Sequence, residues 1–406
     1  LTVCRRFAYN DSVGRMQMAQ ARNHRNPLSK TKAMFSYGII GLPNVGKSTL
    51  FNALTRGGAG VASYPFCTID PNVGVVSIPD DRLTQIADTI EPEDVTPATM
   101  EFVDIAGLVR GASQGEGLGN EFLNHIQEVD ALTHVVRLFA DEDVAHVDET
   151  VDPVRDIDTI HSELILKDLE VAERRYREAD KRASQGARRN VDRAEVLERI
   201  VEALRNNRFV HSLPLGEMGT ELTKEMGLLT RKPLIYVGNV SEDQLMQALE
   251  ADDASELDGP PGEFARHARK HDVPFAWICA ELENELSDLG DPQEAEMFLQ
   301  DMGIPESGLG SLVRLGYSAL DLITFYTVKG PETRAWEMRR GGTALEAAGK
   351  IHSDIREGFI KAQVVPWDRL VEAGSFSAAR ENGWMQAEGK SYQVEDGDVI
   401  MFQFRA

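Results

Sequence analysis

The 406 residues of this chain exceed one ordinary domain and predict two or three. With 42% apolar residues it can bury a core, yet no run of about 18 apolar residues offers a membrane span. Three scattered cysteines, Cys4, Cys67 and Cys279, form neither a disulfide framework nor a zinc spacing, which favours a reducing, cytoplasmic compartment, and the net charge of −23 repels polyanions, so contact with nucleic acid needs a local basic patch.

Residues 1–33 are basic, with seven Lys or Arg against the single acid Asp11. They lack periodicity and stop just before Met34. No apolar core of a secretory signal is present, so the segment reads as a disordered or non-native extension, with an Arg-rich transit leader as the alternative.

From residue 34 strands and helices alternate. Residues 35–40 read as a short buried strand. Gly41-Leu42-Pro43-Asn44-Val45-Gly46-Lys47-Ser48 follows and fits G-x-x-x-x-G-K-[S/T]. Thr49 opens the next helix. A strand, loop and helix in this order aim several backbone N–H groups at one spot, at the positive end of a helix. Asn44, Val45, Gly46, Lys47, Ser48 and Thr49 are therefore the candidate cradle for a triphosphate. Lys47 would reach the β- and γ-phosphates, and Ser48 would ligate Mg²⁺.

Thr68 lies between that helix and the next strand, where a second hydroxyl ligand to Mg²⁺ is expected. Its neighbour Cys67 is either a redox-sensitive thiol or a small buried residue. Strands are predicted at 74–78, 100–103 and 134–139, with a helix at 83–90, which implies a mostly parallel sheet with helices on both faces.

Asp104-Ile105-Ala106-Gly107 supplies the D-x-x-G of nucleotide switches. Asp104 would close the metal shell, and the Gly107 amide would sense the γ-phosphate. Leu108 stands where Ras-type GTPases carry a water-orienting Gln. An aliphatic side chain cannot orient water, so hydrolysis is slow or another group does that work. The glycine-rich 111–119 run suggests a switch segment.

Residues 153–208 change character. Ile157, Ile160, Leu164 and Val171 keep a roughly heptad spacing interrupted by Asp168. Ala194, Leu197, Val201 and Leu204 recur at spacings of three, four and three. An antiparallel, coiled-coil-like helical hairpin is expected, serving as a partner-binding arm or as a solvated insertion.

Strands return at 233–238 and 274–279. After the first, Asn239-Val240-Ser241-Glu242 occupies the N-K-x-D slot that selects guanine. The Lys is gone and the acid is a methylene longer. This argues against strict guanine choice without establishing adenine. Cys279-Ala280-Glu281 takes the place of the loop flanking the base. From about 321 the pattern is β-rich, with one helix expected at 343–355.

The expected fold is α/β: a P-loop NTPase doubly wound sheet over 34–150 and 210–320, an inserted hairpin over 151–209, and a small α+β domain over 321–406.

Together the phosphate loop, Asp104-Ile105-Ala106-Gly107-Leu108-Val109 and Asn239-Val240-Ser241-Glu242 resemble the Obg-like ATPase family, also called YchF, within the TRAFAC class. The resemblance runs from about residue 35 to 404. It implies a β-grasp-like TGS domain at the C-terminus, slow hydrolysis of ATP with GTP bound more weakly, and association with the ribosome or its large subunit, with rRNA reached through the TGS domain. It also implies that Asn239 and the Val240 backbone meet adenine, that Asn44 supports K⁺-assisted hydrolysis, and that His146 positions the attacking water. The catalytic set is then Lys47, Asp104, Gly107 and His146, with Ser48 and Thr68 on Mg²⁺. Two alternatives stay open: an Obg-type GTPase in ribosome assembly, and a nucleotide-gated binding protein with incidental turnover.

Overall fold

The computed structural model describes residues 34–57, 72–105, 118–141, 150–183 and 188–405. Two six-stranded sheets organise them.

The first is built on β1 (Ser36–Ile40), whose five residues are all buried. A strand covered on both faces needs apolar or small residues at every position, which is why Ser-Tyr-Gly-Ile-Ile does not alternate. Around it stand β2 (Val73–Ser77), β4 (Thr99–Asp104), β5 (Ala131–Arg137), β6 (Leu234–Asn239) and β7 (Phe275–Ile278), in the order β2-β4-β1-β5-β6-β7. Every pair is parallel except β2 on β4. β1 lies between β4 and β5, so the crevice beyond its carboxyl end is the expected ligand site of such a sheet. Helices α1 (Lys47–Gly57) and α3 (Leu118–Glu128) belong to this layered unit; α2 (Asp81–Ile90) and β3 (Asp94–Thr96) do not stay with it.

The helical hairpin is α4 (Pro153–Ala183) and α5 (Arg188–Arg205), followed by α6 (Gly216–Met226). Ile157, Ile160 and Leu164 are buried on one helix, and Ala194, Leu197, Val201 and Leu204 on the other. Asp168, which broke the heptad, has a structural task. Its carboxylate accepts from the Leu229 and Thr230 amides, each at 2.8 Å, and from the Thr230 hydroxyl at 2.7 Å. Burial raises its pKa even against those bonds. The chain then passes through α7 (Glu242–Glu250), α8 (Gly259–Lys270), α9 (Ala280–Leu289), α10 (Pro292–Asp301) and α11 (Gly308–Ala319).

The second sheet comprises β8 (Leu322–Lys329), β9 (Glu332–Arg339), β10 (Phe359–Pro366), β11 (Gln386–Glu388) and β12 (Asp398–Phe404), with β3 as its sixth member. Its order is β11-β10-β12-β8-β9-β3. Asp94, Val95 and Thr96 pair in parallel with Glu332, Thr333 and Arg334. The apolar face of α2 turns the same way: its Leu83 and Ile86, with Ala98 just ahead of β4, cluster with Tyr326, Ala335 and Val365. The run between β2 and β4 thus leaves its own sheet and completes the C-terminal one.

The helix expected over 343–355 is two helices, α12 (Ala344–Ile351) and α13 (Ser353–Glu357). His352 is extended, and its ring nitrogen accepts from the Asp354 amide, so it ends one helix and caps the next. The sheet is flanked further by α14 (Trp367–Ala373) and α15 (Phe376–Glu381).

Candidate phosphate-binding site

The loop between β1 and α1 is shaped by residues that tolerate unusual backbone. Gly46 has φ +96°, and a Cβ there would lie 2.3 Å from the Asn239 amide nitrogen. Gly41 is close to the Val135 carbonyl, 2.5 Å from where a Cβ would stand. Asn44 adopts the left-handed region at φ 61°, which Asn enters more readily than most residues.

Lys47 opens α1 and is buried. Its ammonium donates to the Leu42 carbonyl at 2.7 Å. Burial pulls its pKa down to about 8, against an upward pull from Asp104. Ser48 and Thr49 are exposed beside it. The Ser48 hydroxyl donates to Asp104 Oδ2 at 3.3 Å. Asp104 Oδ1 is buried with no hydrogen-bond partner among the described residues. Hard oxygen donors gathered at the first turn of a helix, one of them unsatisfied, suit a small hard cation such as Mg²⁺.

Asn239, at the end of β6, joins two loops. Its Nδ2 donates to the Val45 carbonyl at 3.0 Å, and its Oδ1 accepts from the Ala280 amide at 3.1 Å. Its side chain therefore ties the phosphate loop to the loop after β7. The Val240 N–H is committed to the Ile278 carbonyl at 2.9 Å, so a backbone contact from Val240 to a base would use its carbonyl. Ser241 is the N-cap of α7, exchanging hydrogen bonds with Gln244, and Gln244 also donates to the Leu138 carbonyl at 3.0 Å.

The structure thus brings together Asn44, Val45, Gly46, Lys47, Ser48, Thr49, Asp104, Asn239 and Val240. Thr68, Gly107 and His146 lie outside the described residues, as do Cys67, Leu108 and the 111–117 run. Sequence reasoning passed over Arg137, which ends β5 buried beneath the loop. The signal was present: an arginine set between Val135-Val136 and Leu138-Phe139 has to find partners.

Comparison with known proteins decides the family. A family model described as a 50S ribosome-binding GTPase matches residues 36–168. A second, the YchF-GTPase C-terminal model, described as a protein of unknown function, matches 322–405. A ribosome-binding ATPase YchF of Bacillus subtilis (strain 168) is 45% identical over 367 residues, covering 90% of this chain and 98% of that protein. The chain belongs to the YchF family. The ribosome-binding ATPase YchF of Haemophilus influenzae is likewise 45% identical, over 91% of this chain and 99% of its own length. The solved structure of the Schizosaccharomyces pombe YchF GTPase superposes with a TM-score of 0.81 at 31% identity, covering 91% of this chain and 97% of that one. The P-loop α/β fold expected from the sequence is therefore that of YchF proteins. Among the described residues no helix is long and apolar enough to cross a membrane.

Proposed function

We propose that this chain is a Mg²⁺-dependent ATPase that works as a cytoplasmic switch at the ribosome. The observation that carries the chemistry is the cradle itself: a glycine-shaped loop at a helix N-terminus, with Lys47, Ser48 and Asp104 converging on it. The relatives named ribosome-binding ATPases support ATP as the nucleotide and the ribosome as the partner.

In this reading the amides of residues 44–49 hold the phosphates. Lys47 exchanges the Leu42 carbonyl for β- and γ-phosphate oxygens. Ser48 and Thr68 would supply hydroxyls to Mg²⁺, which when bound would offset the charge developing on the transferred phosphoryl group. Asp104 would help hold the metal, and the Gly107 amide would report whether the γ-phosphate is present. His146 orients the attacking water in the place left by Leu108. Asn44 is the residue through which K⁺ would assist, and Asn239 and Val240 border the base. The C-terminal sheet is the surface proposed to meet rRNA or a protein of the large subunit.

Isothermal titration with ATP and GTP, with and without K⁺, tests the nucleotide. Tighter binding of ATP supports the reading, and equal or tighter binding of GTP overturns that part of it in favour of an Obg-type GTPase. Co-sedimentation with large ribosomal subunits in the presence of a non-hydrolysable ATP analogue, against ADP, tests the switch. Equal recovery with both nucleotides sinks it.

A further inference from the structure

We propose that Arg137 is a positioning residue that aims the amides of the phosphate loop; this rests on the phosphate-site reading above. Arg137 and Asn239 are the last residues of neighbouring parallel strands and stand in register. The Arg137 side chain is 2% exposed. Its guanidinium donates from Nη1 to the Asn44 carbonyl at 3.5 Å, from Nε to the Phe139 carbonyl at 3.0 Å, and from Nη2 to the Asp141 carbonyl at 3.3 Å. It also lies over the Phe139 ring, 4.9 Å from its centre. A guanidinium is buried only where hydrogen bonds replace its water. These partners sit on two separate segments: the phosphate loop, and the run that leaves β5.

The consequence follows from peptide geometry. In a trans peptide the carbonyl and the next residue's N–H point in opposite directions. Arg137 draws the Asn44 carbonyl toward itself and so turns the Val45 N–H away from the sheet end. Asn239 does the same one residue later: it holds the Val45 carbonyl at 3.0 Å and turns the Gly46 N–H. Two side chains on adjacent strands thereby aim two consecutive amides before any ligand arrives. A pre-aimed donor set binds an anion without reorganising, which is where affinity is otherwise lost. Asn44 needs such a restraint because its left-handed backbone is an excited conformation for a residue with a side chain.

The test compares Arg137→Met, which keeps length and the cover over Phe139 but removes all donors, with Arg137→Lys. ATP, GTP and inorganic tripolyphosphate are titrated by calorimetry, well below the melting temperature of each ligand-free variant. Loss of charge-assisted bonds of this kind predicts that Arg137→Met weakens ATP and tripolyphosphate in parallel, each by about tenfold. The ATP-to-GTP ratio stays as in the parent, because the loops flanking the base are untouched. Arg137→Lys falls between, since an ammonium cannot reproduce the fork. A role confined to stability lowers the melting temperature and leaves both dissociation constants unchanged, and that result overturns the proposal. Should Arg137→Met fail to fold, the Lys variant decides: weaker tripolyphosphate binding supports the aiming role, and unchanged binding refutes it. An unmodified chain that binds neither ATP nor tripolyphosphate would reject the phosphate-site reading itself, an outcome separate from failure of the Arg137 variants alone.

Discussion

The two sheets bury charge in different company. At the carboxyl end of the parallel sheet, Lys47, Arg137 and Asn239 reach main-chain carbonyls of the phosphate loop, those of Leu42, Asn44 and Val45. Asp104 keeps an oxygen that nothing among the described residues satisfies. At the C-terminal sheet Glu337 of β9 and Lys350 of α12 close on each other at 2.7 Å, both nearly inaccessible. Asp398 there accepts from the Tyr392 hydroxyl and the Glu395 amide, each at 2.9 Å. Buried charges that satisfy one another hold elements together. Buried cations that reach loop carbonyls help keep a loop in shape and can be recruited by a stronger anion.

The sharpest break of this comparison is Lys47→Ala. It should lower ATP turnover by about a hundredfold or more, measured as phosphate release, while the urea midpoint stays or rises because burial of that ammonium is unfavourable. Turnover that survives would remove the parallel sheet's claim to the chemistry. Glu337→Ala should do the reverse. Leaving Lys350 buried without its partner costs about 3–5 kcal/mol in urea denaturation, with ATP affinity unchanged. A large change in affinity would mean that the sheets do not divide the work.

The pH response separates them further. With Lys47 pulled down to about 8, its charge is lost as pH rises through that value. ATP affinity should therefore fall above about pH 8, with proton uptake on binding that calorimetry in buffers of different ionisation heat detects. For folding the sign is opposite. Between the lowered folded value and the ordinary lysine range the unfolded chain holds more protons, so this group's contribution to stability rises with pH. A pH-independent affinity between 7 and about 9.5 would contradict the lowered value.

The smallest effect tests how α2 is held to the C-terminal sheet. Tyr326 in β8 donates to Asp80 Oδ2 at 2.6 Å, and Asp80 also pairs with Arg82 at 2.8 Å and caps α2. Tyr326→Phe should cost about 1 kcal/mol in thermal or urea unfolding and leave turnover intact. No measurable loss would show that this bond does not hold α2 to the C-terminal sheet.

The legible parts of the molecule are those with local rules. Gly41 and Gly46 mark a loop that a side chain would obstruct, and the spacing to Lys47 and Ser48 follows from how a loop turns into a helix. The apolar repeat of α5 is likewise local, whereas Ile157, Ile160 and Leu164 of α4, expected in the hairpin seam, pack into the core of the first sheet, and Ile165, Ala172 and Ala179 face the hairpin instead. β3 was not legible: three residues, two of them exposed, carry no periodicity, and their partner strand begins at Glu332. The amphipathic pattern of α2 announced a buried face but not which sheet would bury it. The break at His352 escaped because an extended residue between two helix-forming runs leaves little trace in a propensity pattern.

Taken by itself, the amino-acid sequence determined the phosphate loop, the alternation that makes a parallel sheet and the hairpin inserted in it, because turn chemistry and residue period act over neighbouring positions. Only the tertiary structure decided that residues 78–98 serve the C-terminal sheet, that Asn239 ties two loops together, and that Arg137 reaches the Asn44 carbonyl. Those outcomes depend on which surfaces meet across long stretches of chain, and such pairings are set by the sum of packing and hydrogen bonding over the whole fold.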